Sequence, residues 1–263
     1  MIVAGIDAGS RTIKVVLLET GSGATLAAGC IDQGIEQDSL AMGLLDRLLA
    51  ERGLARRDLA STVATGYGRR LIRAADRTVT EITCQARGVA RVMPDARTVI
   101  DIGGQDSKLI RLDAGGAVED FVMNDRCAAG TGRFLEVVAT RLGVRLAELG
   151  NLAARSRALT VISSMCVVFA ETEIVGLLAA GVPAEDIASG VQAAIAGRVA
   201  AMGNGSAREP VVLTGGVALV PGMAAALAAA FGAEVTVVPS PQTTAALGAA
   251  WTAAGMRSIP PDS

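Results

Sequence analysis

Two short segments of the chain combine an aspartate, a glycine turn and a lysine, a set of residues suited to binding phosphate groups. The second segment repeats the first in ungapped register: Asp7, Gly9, Lys14 and Gly21 match Asp101, Gly103, Lys108 and Gly115. Glycine turns expose backbone N–H groups that can donate to phosphate oxygens. The carboxylates can hold Mg²⁺ through water, and a lysine adds positive charge. Two such turns facing each other would clamp a triphosphate, although a purely structural role for the turns also remains open.

Further polar residues beside the two turns could support phosphoryl transfer. Ser10 and Thr12 supply hydroxyl donors to the first turn. Gln105 and Asp106 stand where a side chain could orient an attacking water, because phosphoryl transfer depends mainly on positioning and charge stabilisation. A third glycine turn, at residues 213–217, completes a pattern that predicts nucleotide binding.

Two of the four cysteines stand where a predicted helix begins. Cys127 lies within Asn124–Gly132, and Cys166 follows Ile162–Met165. The positive end of a helix dipole stabilises a thiolate or an anionic cluster. Two thiolates are half the ligand set of a [4Fe–4S] cluster, and a symmetric dimer would supply the other half. A disulfide or a pair of buried thiols remains open as an alternative. The other two cysteines are interpreted as small buried hydrophobes: Cys30 and Cys84.

Composition excludes several classes of protein. The 263 residues are 51% hydrophobic, 19% charged and 2% aromatic, with no histidine and a net charge of −2. The absence of histidine excludes catalytic triads and histidine-ligated zinc. Near-neutral charge and few aromatics argue against nucleic-acid binding. No segment has the pattern of a membrane span or a signal peptide, so we expect a cytoplasmic protein.

The elements that carry these motifs alternate in an α/β pattern with an internal repeat. Each copy begins with a predicted antiparallel meander, at Ile2–Cys30 and at Thr98–Met123. Further strands are predicted at Ser61–Ala64, Pro210–Leu213 and Glu234–Val238, and helices at Leu40–Arg52, Cys84–Val92, Gly132–Leu142, Cys166–Ala180, Pro183–Met202, Met223–Phe231 and Thr244–Ala254. We therefore predict two related subdomains, residues 1–95 and 96–243, with the C-terminal helix 244–254 packing back on the first.

Longer strings around these motifs carry a resemblance to a known family. The most specific strings surround the cysteines, at residues 124–136 and 162–171, and residues 99–106 and 64–69 match as well. Together they resemble the activator ATPases of 2-hydroxyacyl-CoA dehydratases, which are grouped with the ATPase subunits of benzoyl-CoA reductase as BadF/BadG/BcrA/BcrD-type ATPases. The resemblance extends from Gly5 to about residue 250.

The resemblance implies an actin/hexokinase/Hsp70-like (ASKHA) α/β fold, in which two RNase H-like subdomains enclose a nucleotide cleft. It further implies ATP or ADP with Mg²⁺, and a homodimer sharing one [4Fe–4S] cluster. In the family, ATP hydrolysis lets the cluster pass one low-potential electron to a partner iron–sulfur dehydratase, which then eliminates water from a 2-hydroxyacyl-CoA. Reduced ferredoxin or flavodoxin is the implied electron source, in anaerobic cytoplasm.

The resemblance also assigns roles to individual residues. It implies catalytic roles for Asp7, Asp101, Gln105 and Asp106, nucleotide binding by Gly9, Ser10, Arg11, Thr12, Lys14, Gly103, Gly104, Gly215, Gly216, Val217 and Gln242, and cluster binding by Cys127 and Cys166.

Three other interpretations of the sequence compete with this one. A small-molecule kinase of the same fold could use Asp101 as its base. A benzoyl-CoA reductase ATPase subunit, or a reductase of another low-potential iron–sulfur protein, would share both the ATP site and the cluster. A non-catalytic actin-like scaffold is the third. Cysteines at two helix starts serve neither a kinase nor a scaffold, so they argue against both.

Overall fold

The computed structural model describes residues 1–164 and 166–255. Its strands are β1 Ile2–Ala8, β2 Thr12–Glu19, β3 Thr25–Asp32, β4 Leu59–Thr65, β5 Arg77–Thr78, β6 Thr98–Ile102, β7 Ser107–Leu112, β8 Val118–Asn124, β9 Val211–Thr214 and β10 Val235–Val237. Its α-helices are α1 Gln37–Ala50, α2 Glu81–Val92, α3 Gly132–Arg141, α4 Leu146–Ala153, α5 Val167–Ala179, α6 Ala184–Met202, α7 Met223–Phe231 and α8 Thr244–Gly255.

The chain divides into two compact units, each with its own five-stranded mixed sheet. Unit 1 comprises Met1–Asp95, Asp113–Val118 and the described part of Gln242–Ser263, and unit 2 comprises Ala96–Leu112 and Glu119–Pro241. The strand orders are β3-β2-β1-β4-β5 and β10-β9-β6-β7-β8. In each sheet an antiparallel hairpin precedes a parallel strand, since β4 runs parallel to β1 and β9 parallel to β6. The predicted α/β class is confirmed.

Unit 1 buries apolar side chains on both faces of its sheet. On one face, leucines of α1 pack against Ile6 and Ile13. On the other face, alanines of α8 pack against Val3 and Leu18. The contact of α8 with α2 is so close that a Cβ on Gly248 would lie 1.7 Å from the carbonyl oxygen of Cys84. Small residues are therefore required where this C-terminal helix crosses α2.

Unit 2 places its helices around one larger core. Phe134 of α3, Leu149 of α4, Ile174 of α5, Ile195 of α6 and Leu227 of α7 are all fully buried in it. Helix α4 was not predicted, because its eight residues give too short a periodic pattern. Over the described residues, no helix is both long and apolar enough to cross a membrane.

The two cysteines interpreted as hydrophobes behave differently. Cys84 is fully buried beneath α8, as predicted, and burial raises the pKa of its thiol. Cys30 is exposed, so its interpretation as a buried residue is wrong. It lies on β3, which is at the edge of its sheet, and the neighbouring buried position on this strand is Ala27. An edge strand leaves alternate side chains in solvent.

Candidate functional site

The first phosphate-type turn joins β1 to β2 in unit 1. The backbone N–H of Gly9 donates to the carbonyl of Thr12 at 3.1 Å, which closes the turn. Asp7 pairs with Lys14 in the antiparallel register, and their Oδ2 and Nζ atoms lie 3.0 Å apart. Burial acts to lower the pKa of Lys14, but the charge and hydrogen bond of Asp7 outweigh it and raise that pKa. The lysine therefore stays charged beside the carboxylate.

Asp7 keeps one oxygen of its carboxylate uncommitted. The residue is 3% exposed, and its Oδ1 atom is buried without a hydrogen-bond partner. A buried carboxylate oxygen is costly to leave unpaired. Such an atom fits a role in holding a water or cation shell, which is the role expected of Asp7 towards Mg²⁺.

The equivalent turn of unit 2 joins β6 to β7 and carries one more carboxylate. The Gly103 N–H donates to the Asp106 carbonyl at 2.9 Å, and Asp101 pairs with Lys108 in the same register as in unit 1. The Lys108 Nζ lies 3.3 Å from Asp101 Oδ2 and 2.8 Å from Asp106 Oδ2. Lys108 and Asp101 are 2% and 5% exposed, whereas the side chain of Asp106 keeps 26% of its surface accessible, so the cluster is open to solvent on the Asp106 side. Two aspartates on one lysine leave a net negative site, which suits a hydrated divalent cation.

A threonine–glycine pair closes each site and extends the repeat further than the sequence analysis found. Thr65 is the last residue of β4 and pairs with Asp7, and Thr214 is the last residue of β9 and pairs with Asp101; Gly66 and Gly215 come next. Both glycines have positive φ, of 87° and 86°. A Cβ would lie 2.3 Å from Asp7 Oδ1 at Gly66 and 2.8 Å from Asp101 Oδ1 at Gly215. The Thr-Gly dipeptide shared by the ends of these two parallel strands was the signal that could have identified Thr65 and Gly66.

The remaining residues predicted to bind nucleotide fall into the two units separately. Unit 1 holds Ser10, Arg11, Thr12 and Gln242, and unit 2 holds Gly104, Gln105, Gly216 and Val217. Arg11 and Gln105 are exposed within their turns. Val217 differs from the others because its side chain is buried in the core of unit 2, so only its backbone is available to a ligand.

Cys127 belongs to a loop that is held by several hydrogen bonds; residues 124–131 are called the first cysteine loop here. The Asn124 side chain accepts from the Cys127 N–H at 3.1 Å and donates to the Cys127 carbonyl at 2.8 Å. Ser107 Oγ donates to the carbonyl of Gly130. Helix α3 begins just beyond the loop, where the Gly132 N–H donates to the Gly103 carbonyl at 2.9 Å. The loop is thus tied to the second phosphate-type turn.

Cys166 directly precedes α5, and its carbonyl accepts the Ala170 N–H at 2.8 Å. Ile162–Ser164 and Cys166 are called the second cysteine loop here. Glu173 of α5 accepts hydrogen bonds from the backbone N–H groups of Ser163 and Ser164 at 2.9 and 2.8 Å. Burial acts to raise the pKa of Glu173, but the hydrogen bonds from these serines outweigh it and lower the pKa to about 2.

Arg198 of α6 contacts both cysteine loops. Its Nη2 donates to the Ser164 carbonyl at 2.6 Å, and its Nη1 donates to the Ala129 carbonyl at 3.4 Å. Its guanidinium lies 5.6 Å from the ring centroid of Phe134. Burial lowers the pKa of Arg198, against the opposing effect of the charges of Cys127 and Glu173. An arginine remains charged under such a shift.

The two exposed cysteines of one chain are half of the ligands that a [4Fe–4S] cluster needs. Cys127 and Cys166 are both exposed. Among residues 1–164 and 166–255, no three cysteine, aspartate or glutamate side chains form a group that could hold a metal ion. Two accessible thiols, one of them at the N-terminus of α5, therefore fit a cluster only if another chain adds ligands.

Exposed apolar side chains accompany Cys166. Val168, Phe169 and Val175 lie on α5, and Phe169 is 68% exposed; these three residues are called the apolar face of α5. Leu159 and Val161 are exposed just before the second cysteine loop. Exposed apolar residues that group on one helix are typical of interaction surfaces.

Comparison with known proteins gives consistent matches along nearly the whole chain. The model of the BadF/BadG/BcrA/BcrD ATPase family matches residues 4–253. The chain is 44% identical to the activator of lactoyl-CoA dehydratase from Anaerotignum propionicum, over 95% of this chain and 96% of that protein. It is 40% identical to the 2-hydroxyisocaproyl-CoA dehydratase activator of Clostridioides difficile, over 95% and 94%. It is 36% identical to one of the subunits of benzoyl-CoA reductase from Thauera aromatica, over 84% and 80%.

The fold has solved counterparts. The structure of the activator of the 2-hydroxyisocaproyl-CoA dehydratase from Clostridium difficile with bound ADPNP superimposes with a TM-score of 0.92 and 39% identity, covering all of both chains. The expected actin/hexokinase/Hsp70-like fold is thereby confirmed.

Proposed function

Because the chain belongs to the BadF/BadG/BcrA/BcrD ATPase family, we propose that it is an ATP-dependent activator that donates single electrons to a 2-hydroxyacyl-CoA dehydratase. Relatives at 40–44% identity over nearly their whole length are named activators of such dehydratases. One observation carries the proposal furthest: two exposed cysteines lie on the unit whose phosphate-type turn is hydrogen-bonded to the helix that follows Cys127. A kinase needs no such arrangement.

The residues of the two phosphate-type turns would position ATP and its cation. Backbone N–H groups of the two turns, other than those of Gly9 and Gly103 that close the turns, would donate to phosphate oxygens. Asp7 and Asp101 would hold Mg²⁺ through water. Asp106, anchored by Lys108, would help to orient the attacking water together with Gln105.

Cys127 and Cys166 would hold the cluster together with the same two residues of a second copy. A [4Fe–4S] cluster, when bound, supplies a one-electron carrier of low reduction potential. The N-terminus of α5 and the charge of Arg198 both favour an anion at this place. The apolar face of α5 beside Cys166 supports the homodimer, since such a surface gains from being covered.

Within unit 2, main-chain hydrogen bonds join the second phosphate-type turn directly to the helix that follows the first cysteine loop. The carbonyls of Gly103 and Gly104 accept the N–H groups of Gly132 and Arg133, each at 2.9 Å. A change in the turn on ATP hydrolysis would therefore move the first turn of α3, which follows the first cysteine loop. Helix shifts of this kind are an established way to convert ligand state into a change elsewhere.

The electron source and the acceptor follow from the same proposal. Reduced ferredoxin or flavodoxin would supply the electron. A second candidate acceptor is a benzoyl-CoA reductase, because the chain is also 36% identical to a subunit of that enzyme. The dehydratase is preferred, since the named dehydratase activators match at higher identity and over more of both chains.

Protein purified without oxygen tests the proposal through its iron, acid-labile sulfide and molar mass. We expect about four irons per dimer, and loss of iron in both Cys127→Ser and Cys166→Ser. Cys30→Ser is the matched control, because Cys30 is also exposed but lies in unit 1. Asp101→Asn should keep its iron and lower ATP hydrolysis by roughly 100-fold. An iron-free monomer that reconstitution cannot load would contradict the proposal.

A further inference from the structure

We propose that Arg198 is a positioning residue that fixes the two cysteine loops relative to each other, so that Cys127 and Cys166 are arranged to receive one anionic group. The inference rests on the proposed function, because it assigns a cluster to these thiols. It adds a third, non-ligating residue on a different helix, 32 residues beyond the second cysteine.

The residues that Arg198 contacts lie two positions in sequence from each of the two cysteines. Ala129 is the second residue after Cys127, and Ser164 is the second residue before Cys166. One guanidinium donates to the carbonyls of both, at 3.4 and 2.6 Å. The planar fork of arginine can span two acceptors in fixed directions, which the single ammonium of lysine cannot do.

Two further anchors, Asn124 and Glu173, each contact one loop. Asn124 holds the backbone of Cys127, and Glu173 holds the backbone N–H groups of Ser163 and Ser164. Neither of these anchors fixes one loop against the other. Arg198 contacts both loops, so it is suited to set the separation of the two thiols before a cluster is bound.

The position of Arg198 is itself well supported. It projects from α6, whose neighbouring residues Ile195 and Val199 are fully buried. Its guanidinium faces the ring of Phe134, a fully buried residue of α3. A half-buried guanidinium held on three sides loses little further entropy when the loops are ordered.

Amide hydrogen exchange on the unloaded full-length chain tests the positioning role directly. The amides of Cys127, Thr131, Ser163 and Ser164 are all hydrogen-bonded and report on both loops. In Arg198→Gln and Arg198→Lys we expect these amides to exchange about tenfold faster. Arg208→Gln is the matched control, because Arg208 lies in the same unit and forms an exposed ion pair with Glu119. Unchanged exchange in both Arg198 variants would overturn the inference.

Iron uptake and the midpoint potential of the loaded protein distinguish the positioning effect of Arg198 from the effect of its charge. Both Arg198 variants should take up iron more slowly and to lower occupancy than wild type and Arg208→Gln. In the loaded fraction, Arg198→Gln should shift the midpoint potential to more negative values, because a nearby positive charge favours the more negative reduced form. Arg198→Lys should keep the wild-type potential. Equal iron content and equal potential in all variants would also overturn the inference.

The two possible failures can be told apart. If wild-type protein never binds iron while the Arg198 variants loosen both loops, the proposed function fails and the positioning role of Arg198 stands. If wild-type protein binds iron and the variants match it in exchange, loading and potential, the function stands and the inference fails.

Discussion

The buried Oδ1 atom of Asp7 explains why the residue beside it is a glycine. Gly66 has a φ of 87°, and a Cβ there would lie 2.3 Å from that oxygen. Gly53 in the same unit has a φ of 68°, with nothing within 4 Å of its Cβ position. The two glycines therefore separate the cost of backbone strain from the cost of the clash.

We expect Gly66→Ala to lower the free energy of unfolding by about 2–5 kcal/mol, and Gly53→Ala by about 1–2 kcal/mol. Because the added methyl group must displace the carboxylate, Gly66→Ala should also lower ATP hydrolysis, whereas Gly53→Ala should not. Urea denaturation and a phosphate-release assay measure the two effects. Equal losses of stability in the two variants, with hydrolysis unchanged, would contradict the role given to Gly66.

At the residue scale, the sequence predicts paired residues within a repeated motif better than it predicts the tertiary contacts of a single residue. The repeated spacing of Asp7 to Lys14 and Asp101 to Lys108 indicated equivalent sites, and the structure gives both pairs the same cross-strand register. Arg198 could not be found in this way, because its two carbonyl partners are far from it in sequence and carry no side-chain signal. Carbonyl acceptors exist at every residue, so only the folded chain shows which are used.

Among the elements, α5 has an N-terminal loop that is held by a charged side chain from the helix itself. Glu173 accepts hydrogen bonds from Ser163 and Ser164, and its pKa falls from 4.5 to about 2. A depressed carboxylate pKa stabilises the fold above the unfolded value, and this stabilisation is lost as the pH falls through the folded value. The contribution of Glu173 is thus complete above pH 4.5 and disappears towards pH 2.

We expect Glu173→Gln to be less stable than wild type near neutral pH, with a gap that closes between about pH 4.5 and pH 2. Denaturant midpoints of the unloaded chain, taken across this range, measure the gap. Ser163→Ala removes one of the donors to Glu173. In that background, the stability difference caused by Glu173→Gln should be smaller than in wild type but still present. A gap that is constant from pH 5 to pH 2 would contradict the assignment.

Some element boundaries were predicted from the sequence and others were missed. Helix α7 was predicted at its observed bounds, Met223–Phe231, and β2 at Thr12–Glu19. The two-residue strand β5 and the short helix α4 lacked enough residues for a pattern. Helix α1 begins at Gln37, three residues before the prediction, because its first turn is polar and carries Asp38.

For the whole molecule, the proposed homodimer gives the exposed apolar face of α5 a partner. Phe169→Glu would place an unpaired charge in that interface, so the dimer dissociation constant should rise about 100-fold or more. Ile35→Glu is the control, since Ile35 is 98% exposed and belongs to unit 1. Sedimentation velocity over a dilution series measures the change. A dimer of unaltered strength in Phe169→Glu would place the interface elsewhere.

The link between the second phosphate-type turn and α3 has a consequence for how this protein can evolve. Gly103, Gly104, Gly132 and Arg133 are joined through main-chain N–H and carbonyl groups. Mutations that exchange one side chain for another leave such groups in place, with proline as the exception at the donor positions. The connection therefore depends on residue identity mainly where a Cβ would clash, as at Gly103, where it would lie 2.5 Å from Asp106 Oδ1. It is more vulnerable to changes in spacing. A library of single-residue deletions around residues 104 and 131 would break it far more often than a substitution library of equal size.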